Sequence, residues 1–168
     1  MNNVEGFHYI LFGGAIAIFL LSYFLSKKIK SSLIENPSYL SAYMYSFLFL
    51  AKVITIILAF SYILLYVVPG TIIDFFGYIF TVIFTISGIF IQSIINGIES
   101  PYNLPISYLA MIILNSLMIA VISSIPTYII AKNSKSSKKI IVWQFIALFA
   151  WIVLFFIITA TLGGFNLG

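Results

Sequence analysis

AKNSKSSKK, residues 131–139, puts four of the chain's eight lysines between two long apolar runs, 105–131 and 139–163. A stretch this polar, bounded on both sides by segments long enough to cross a bilayer, predicts a connecting loop between two spans. The composition around it agrees. Hydrophobic residues make up 62% of the 168 and charged residues only 7%, against about a quarter charged in an ordinary soluble domain. Mean hydropathy is +1.18. Such a chain cannot clothe itself in polar groups, so the expectation is an all-α integral membrane protein of the cell membrane, multi-pass and solvated by lipid.

Working outward, five apolar segments appear, at about 9–26, 40–68, 71–97, 105–131 and 139–163. They predict one bundle of about five transmembrane helices with short loops and no separate soluble domain. The first run, YILFGGAIAIFLLSYFLS, is closed by KKIK. A signal peptide carries its positive charge before the apolar run, so this segment reads as a retained span. The second opens at ENPSYLSAYM, where Asn36 can cap and Pro37 suits a first turn. Tyr39, Tyr43 and Tyr45 suggest an aromatic belt at the interface.

The lysines pose a topological problem. KKIKSS and KNSKSSKK are separated by three apolar segments. If all three cross, the two stretches face opposite sides, and positive residues give no consistent orientation. If a middle segment is re-entrant or lies flat, both stretches share one side. Five true spans are the expectation, with the fourth, carrying Ser123, Ser124 and Pro126, the easiest to break. Lys27, Lys28, Lys30, Lys132, Lys135, Lys138 and Lys139 are expected at lipid headgroups. A pI near 9.3 does not imply nucleic acid, because the lysines sit at span ends and form no basic face.

Stripes of small or polar residues mark the predicted contact faces: Gly13 and Ala17 on the first span, Ala51, Thr55 and Ala59 on the second, Gly77, Thr81, Thr85, Gly88, Gln92 and Asn96 on the third. Ser116, Ala120, Ser123 or Ser124 and Thr127 do so on the fourth, with Ala160 and Gly164 on the fifth. Such stripes let helix backbones approach and bond in lipid. A second reading has Gln92, Asn96 and Asn115 lining a polar path or partner interface.

Lys52 is the charged residue deepest inside an apolar run. It reads either as a lysine snorkelling to the interface or as a functional charge. Thr71 and Asp74 follow PG in a Thr-x-x-Asp arrangement that caps a helix start. No carboxylate lies at mid-span, which weakens proton-coupled transport. One histidine, His8, and no cysteine leave no metal or haem site for the chain alone. Catalytic and nucleotide motifs are lacking, so enzymatic activity is not expected, and the associated small molecules expected are structural lipids.

WQFIALFAWIVLFF, residues 143–156, resembles the last helix of haem–copper oxidase subunit III, where tryptophan and phenylalanine recur at similar positions with a one-residue shift. The resemblance covers one helix of five, and Gln144 stands where that family has histidine. It implies a non-catalytic helical subunit packed beside a redox core. The expected function is therefore an accessory subunit of a larger membrane complex, partnered by lipid and other membrane subunits. A small oligomeric channel or transporter and a lipid-facing scaffold are the alternatives.

Overall fold

In the computed structural model, residues 3–66, 83–84 and 108–161 are described, and all secondary structure among them is helical. Four helices result: α1 (Asn3–Glu35), α2 (Tyr39–Tyr66), α3 (Tyr108–Ser134) and α4 (Ser137–Thr161). Three of them contain stretches long and apolar enough to cross a membrane: Tyr39–Ser61, Ile112–Ser134 and Ser137–Ile158. The segment expected at 71–97 lies outside the described residues apart from Ile83 and Phe84, which are helical.

Local chemistry sets the helix ends, and here several expectations change. KKIK does not close the first helix. Lysine is a good helix former, so α1 continues through Lys27, Lys28 and Lys30, and a Ser31 Oγ bond to Glu35 Oε1 at 3.2 Å spans its last turn. At 33 residues it is about 50 Å long at 1.5 Å per residue. It stops at Asn36, ahead of Pro37, because proline excludes the α conformation from the residue before it. Ser38, not Asn36, caps α2. The Ser41 amide donates to Ser38 Oγ at 3.1 Å, and the Ser38 amide donates to Ser41 Oγ at 3.1 Å. This is a reciprocal capping box with serine in the usual glutamate position.

The nine-residue loop expected at AKNSKSSKK shrinks to two residues, Lys135 and Ser136. Lys132 rides the last turn of α3, while Lys138 and Lys139 ride the first turn of α4. Ser136 caps α4 by accepting the Lys139 amide at 3.4 Å. Lys135 takes φ 48°, the left-handed conformation that closes a helix C-terminus. Nor does α3 break at Pro126. Ser124 Oγ bonds the Val121 carbonyl at 3.0 Å, the sort of side-chain compensation that lets an apolar helix carry proline.

Packing is up-down-up-down. The α1–α2 turn and the α3–α4 turn meet at one end, where Leu33, Ala42, Tyr45 and Phe49 form a single buried cluster with Ala131 and Ile140. Toward the other end Leu58 of α2 packs with Ile112 of α3 and Phe155 of α4. At that end Gly14 of α1 faces the Leu109 side chain, which a Cβ at Gly14 would meet at 2.5 Å. The end of α2 and the start of α3 therefore both lie away from the two turns. Five alternating spans would put the two lysine stretches at opposite ends, and a re-entrant or flat middle segment would put them at one. They lie together.

The stripes of α2 and α3 face each other: Ala51, Thr55, Ser116, Ala120, Ser123 and Thr127 are buried where these two helices make the most extensive contact in the bundle. On α1 the buried face is one residue out of register with the expected one. Gly13 and Ala17 are exposed, and the packed side runs through Gly14, Ile18, Ser22, Ser26 and Leu33. Ala160 is exposed as well, and Gly164 lies outside the described residues. The outer surfaces of α1 and α4 are apolar, with Phe24, Leu21, Phe149 and Ile157 each more than half exposed. Tyr39 lies at the surface, stacked on Tyr128 with ring centroids 3.9 Å apart, but Tyr45 points inward and is 2% exposed.

Candidate functional site

Because the two turns share an end, so do seven lysines: Lys27, Lys28 and Lys30 on α1, and Lys132, Lys135, Lys138 and Lys139 around the second turn. Lys52 is the eighth. Helical side chains tilt toward their own N-terminus, and the N-terminus of α2 is at the lysine end, so the long Lys52 side chain is aimed there. Its Nζ sits 4.8 Å from the centroid of the Phe49 ring and 5.7 Å from that of Tyr23. Lysine snorkels in this way, its stem along apolar surface and its head toward polar neighbours. The two rings hold the ammonium by cation–π attraction.

Around Lys52 the helices leave a cleft of about 170 Å³, lined by Tyr23, Ser26, Lys27, Lys30, Tyr45, Phe49 and Ile141 as well. Lys27 and Lys30 are three residues apart, hence neighbours on one face of α1, and that face looks at α2. Ser26 spends its hydroxyl proton on the Tyr23 carbonyl at 3.1 Å. Among the described residues no carboxylate lines the cleft. Glu35 bonds Ser31. The remaining lysines stay outside the cleft; Lys132, for example, lies 5.8 Å over the Tyr128 ring.

Deeper in the bundle two polar sites are closed. Gln144 is fully buried, and its Nε2 donates to Thr127 Oγ1 at 2.6 Å and Ser46 Oγ at 2.9 Å. Ser123 Oγ donates back to Gln144 Oε1 at 3.3 Å. One amide thus ties α2, α3 and α4. Asn115, also fully buried, accepts from Trp151 Nε1 at 2.9 Å and donates to the Phe84 carbonyl at 3.2 Å. Both its amide groups are engaged. Gln92 and Asn96, the other members of the expected polar set, and the expected cap Thr71 and Asp74 lie outside the described residues. Gln144 was missed as a polar tie, although a lone amide seven residues into an apolar helix was a legible signal.

No cluster of three metal-ligating side chains occurs among the described residues. Chemically the cleft offers ammonium groups, phenols and aromatic faces, a set suited to holding an anion and lacking a nucleophile–base pair. No family model, no curated protein and no solved structure matches this chain.

Proposed function

We propose that the chain is a multi-pass membrane protein acting as a non-catalytic structural subunit of a larger membrane assembly. The observation that carries this reading is the division of its polar groups. Gln144, Ser46, Thr127 and Ser123 bond one another, Asn115 bonds Trp151 and Phe84, and the outer faces of α1 and α4 are apolar. Interior polar groups of this kind hold helices to one another, and apolar outer faces suit lipid or the helices of a partner.

The topology belongs to the same proposal. α2 and α3 run antiparallel, so the end of α2 and the start of α3 lie on the same side. Ile83 and Phe84 are buried beside Leu58, Ile112 and Trp151, so these two residues pack within the bundle. Among the described residues the end of the bundle away from the turns carries neither lysine nor arginine. By the positive-inside tendency the lysine end is cytoplasmic, and both ends of the described chain face the opposite side.

Solubilisation of native membranes in a mild detergent, with recovery through a C-terminal tag, tests the subunit reading. The expected outcome is stoichiometric co-purification of other membrane subunits; haem or copper among them would extend the resemblance of residues 143–156 to a respiratory complex. Recovery of the chain alone or as a homo-oligomer overturns it. Solute flux through such an oligomer in vesicles would replace it with a channel.

A further inference from the structure

We infer that the cleft between α1 and α2 is a binding site for the phosphate of an anionic lipid headgroup, held by Lys27, Lys30 and Lys52 with Tyr23 and Tyr45 beside it. This inference rests on the membrane reading above. Three like charges line one small space, and each raises the energy of the others. The usual remedy within a protein is a carboxylate, and among the described residues none lines the cleft. With no carboxylate from the described residues, the counter-charge assigned to the cleft is an external anion.

Geometry narrows what that anion is. A cavity of about 150 Å³ admits a molecule the size of benzene, so the cleft at about 170 Å³ takes a phosphate and little more. The ammonium groups come from two helices, so the anion is approached from two sides. Lys52 is pinned over Phe49 and Tyr23, which fixes one donor before the ligand arrives and lowers the ordering cost of binding.

Exposed Phe24, Leu20 and Leu21 lie on α1 adjoining and beyond the cleft, away from the turn, where acyl chains attached to the phosphate would run. This favours a lipid over free phosphate. Lys28 and the four lysines of the second turn share the end but not the cleft. They make a diffuse field that concentrates anionic lipid, whereas the three in the cleft select one headgroup.

The test uses the full chain purified in a mild non-ionic detergent and native mass spectrometry of bound lipid. Phosphatidylglycerol, phosphatidylcholine and inorganic phosphate are titrated separately and in competition. One variant carries Lys27→Gln, Lys30→Gln and Lys52→Gln. A control loses equal charge at the other turn through Lys132→Gln, Lys135→Gln and Lys138→Gln. A further variant, Lys52→Arg, keeps the charge. Resistance of each protein to alkaline extraction from vesicles reads membrane integration by itself; extraction of the wild type sinks the membrane reading whatever the lipid result.

The expected result is one tightly retained phosphatidylglycerol on wild type, the control and Lys52→Arg. A lysine near a membrane surface contributes about fivefold to anionic lipid binding, so the cleft variant should bind on the order of a hundredfold more weakly. Equal losses in the cleft variant and the control would overturn the site in favour of diffuse charge. Failure to prefer phosphatidylglycerol over phosphatidylcholine would overturn it too. Inorganic phosphate binding with phosphatidylglycerol excluded would reassign the cleft to the free anion and refute the lipid assignment.

Discussion

Substituting Gln144→Leu removes the amide that joins three helices while keeping a side chain of similar bulk. Three hydrogen bonds are lost, to Thr127, Ser46 and from Ser123. Interhelical hydrogen bonds in a membrane bundle average about 0.6 kcal/mol each, with a maximum of about 1.7, so the three together amount to about 2 kcal/mol. The stranded hydroxyls recover part of this. Ser46 and Thr127 are already 3.4 Å apart and can bond each other, and Ser123 can turn to a carbonyl of its own helix. The expected net loss is about 1.5 kcal/mol, roughly a tenfold rise in the unfolding constant since 1.4 kcal/mol is a factor of ten. Unfolding in mixed micelles of rising SDS fraction, followed by tryptophan fluorescence, measures it. In a double-mutant cycle Thr127→Val should be less costly when Gln144→Leu is already present. A Gln144→Leu protein within about 0.5 kcal/mol of wild type, or strict additivity in the cycle, would refute the claim that this amide is an energetic tie.

Four further outcomes follow from the geometry. The chain has no cysteine, so single cysteines placed by Ser31→Cys and Ser134→Cys can be labelled with an impermeant maleimide; both should react from the same side, and reaction from opposite sides would overturn the shared end of the two turns. Trp151→Phe removes the bond to Asn115 and should cost about 1 kcal/mol in the same unfolding assay. Trp143→Phe should cost almost nothing, because Trp143 Nε1 is a buried donor with no partner; equal costs at the two tryptophans would contradict the assignment. Gly14→Val should weaken the packing of α1, since a Cβ there meets Leu109, whereas Gly13→Val should not, since a Cβ at Gly13 meets nothing within 4 Å; the unfolding midpoints of the pair decide. Lys135→Gly should stabilise by about 1 kcal/mol by relieving the left-handed conformation at φ 48°, unless a lower midpoint shows that the Lys135 side chain is needed.

Helix existence was legible in the sequence because apolar runs longer than 20 residues leave few alternatives. α2, α3 and α4 fall within three residues of the segments expected at 40–68, 105–131 and 139–163. Ends were less legible for a local reason. Lysine and serine read as loop formers beside an apolar run, yet nothing in KKIKSS forbids a helix, and α1 takes in the whole stretch. Contact faces were read correctly on α2 and α3, where serine and threonine outnumber glycine and bond across or along the interface. On α1 the choice between Gly13 and Gly14 turned on Leu109, almost a hundred residues away, which no local pattern encodes. The cleft was illegible for a similar cause. Lys27, Lys30 and Lys52 converge only because α1 extends past its apolar run and α2 packs antiparallel to it.

The shared end of the two turns also bears on how such a chain enters a bilayer. α1–α2 and α3–α4 are each helical hairpins with seven lysines toward the bend, while Lys52 lies about 20 Å along α2. Inserted bend-last from the lysine side, the hairpins would carry none of those seven ammonium groups through hydrocarbon, a step costing about 2.5–3.5 kcal/mol per lysine at the midplane on insertion scales. Of the charged residues in the four helices, Lys52 enters part-way and Glu5 lies on the far part of α1. Seven lysines gathered at the bends thus keep the energetic barrier to inserting each hairpin as a unit low.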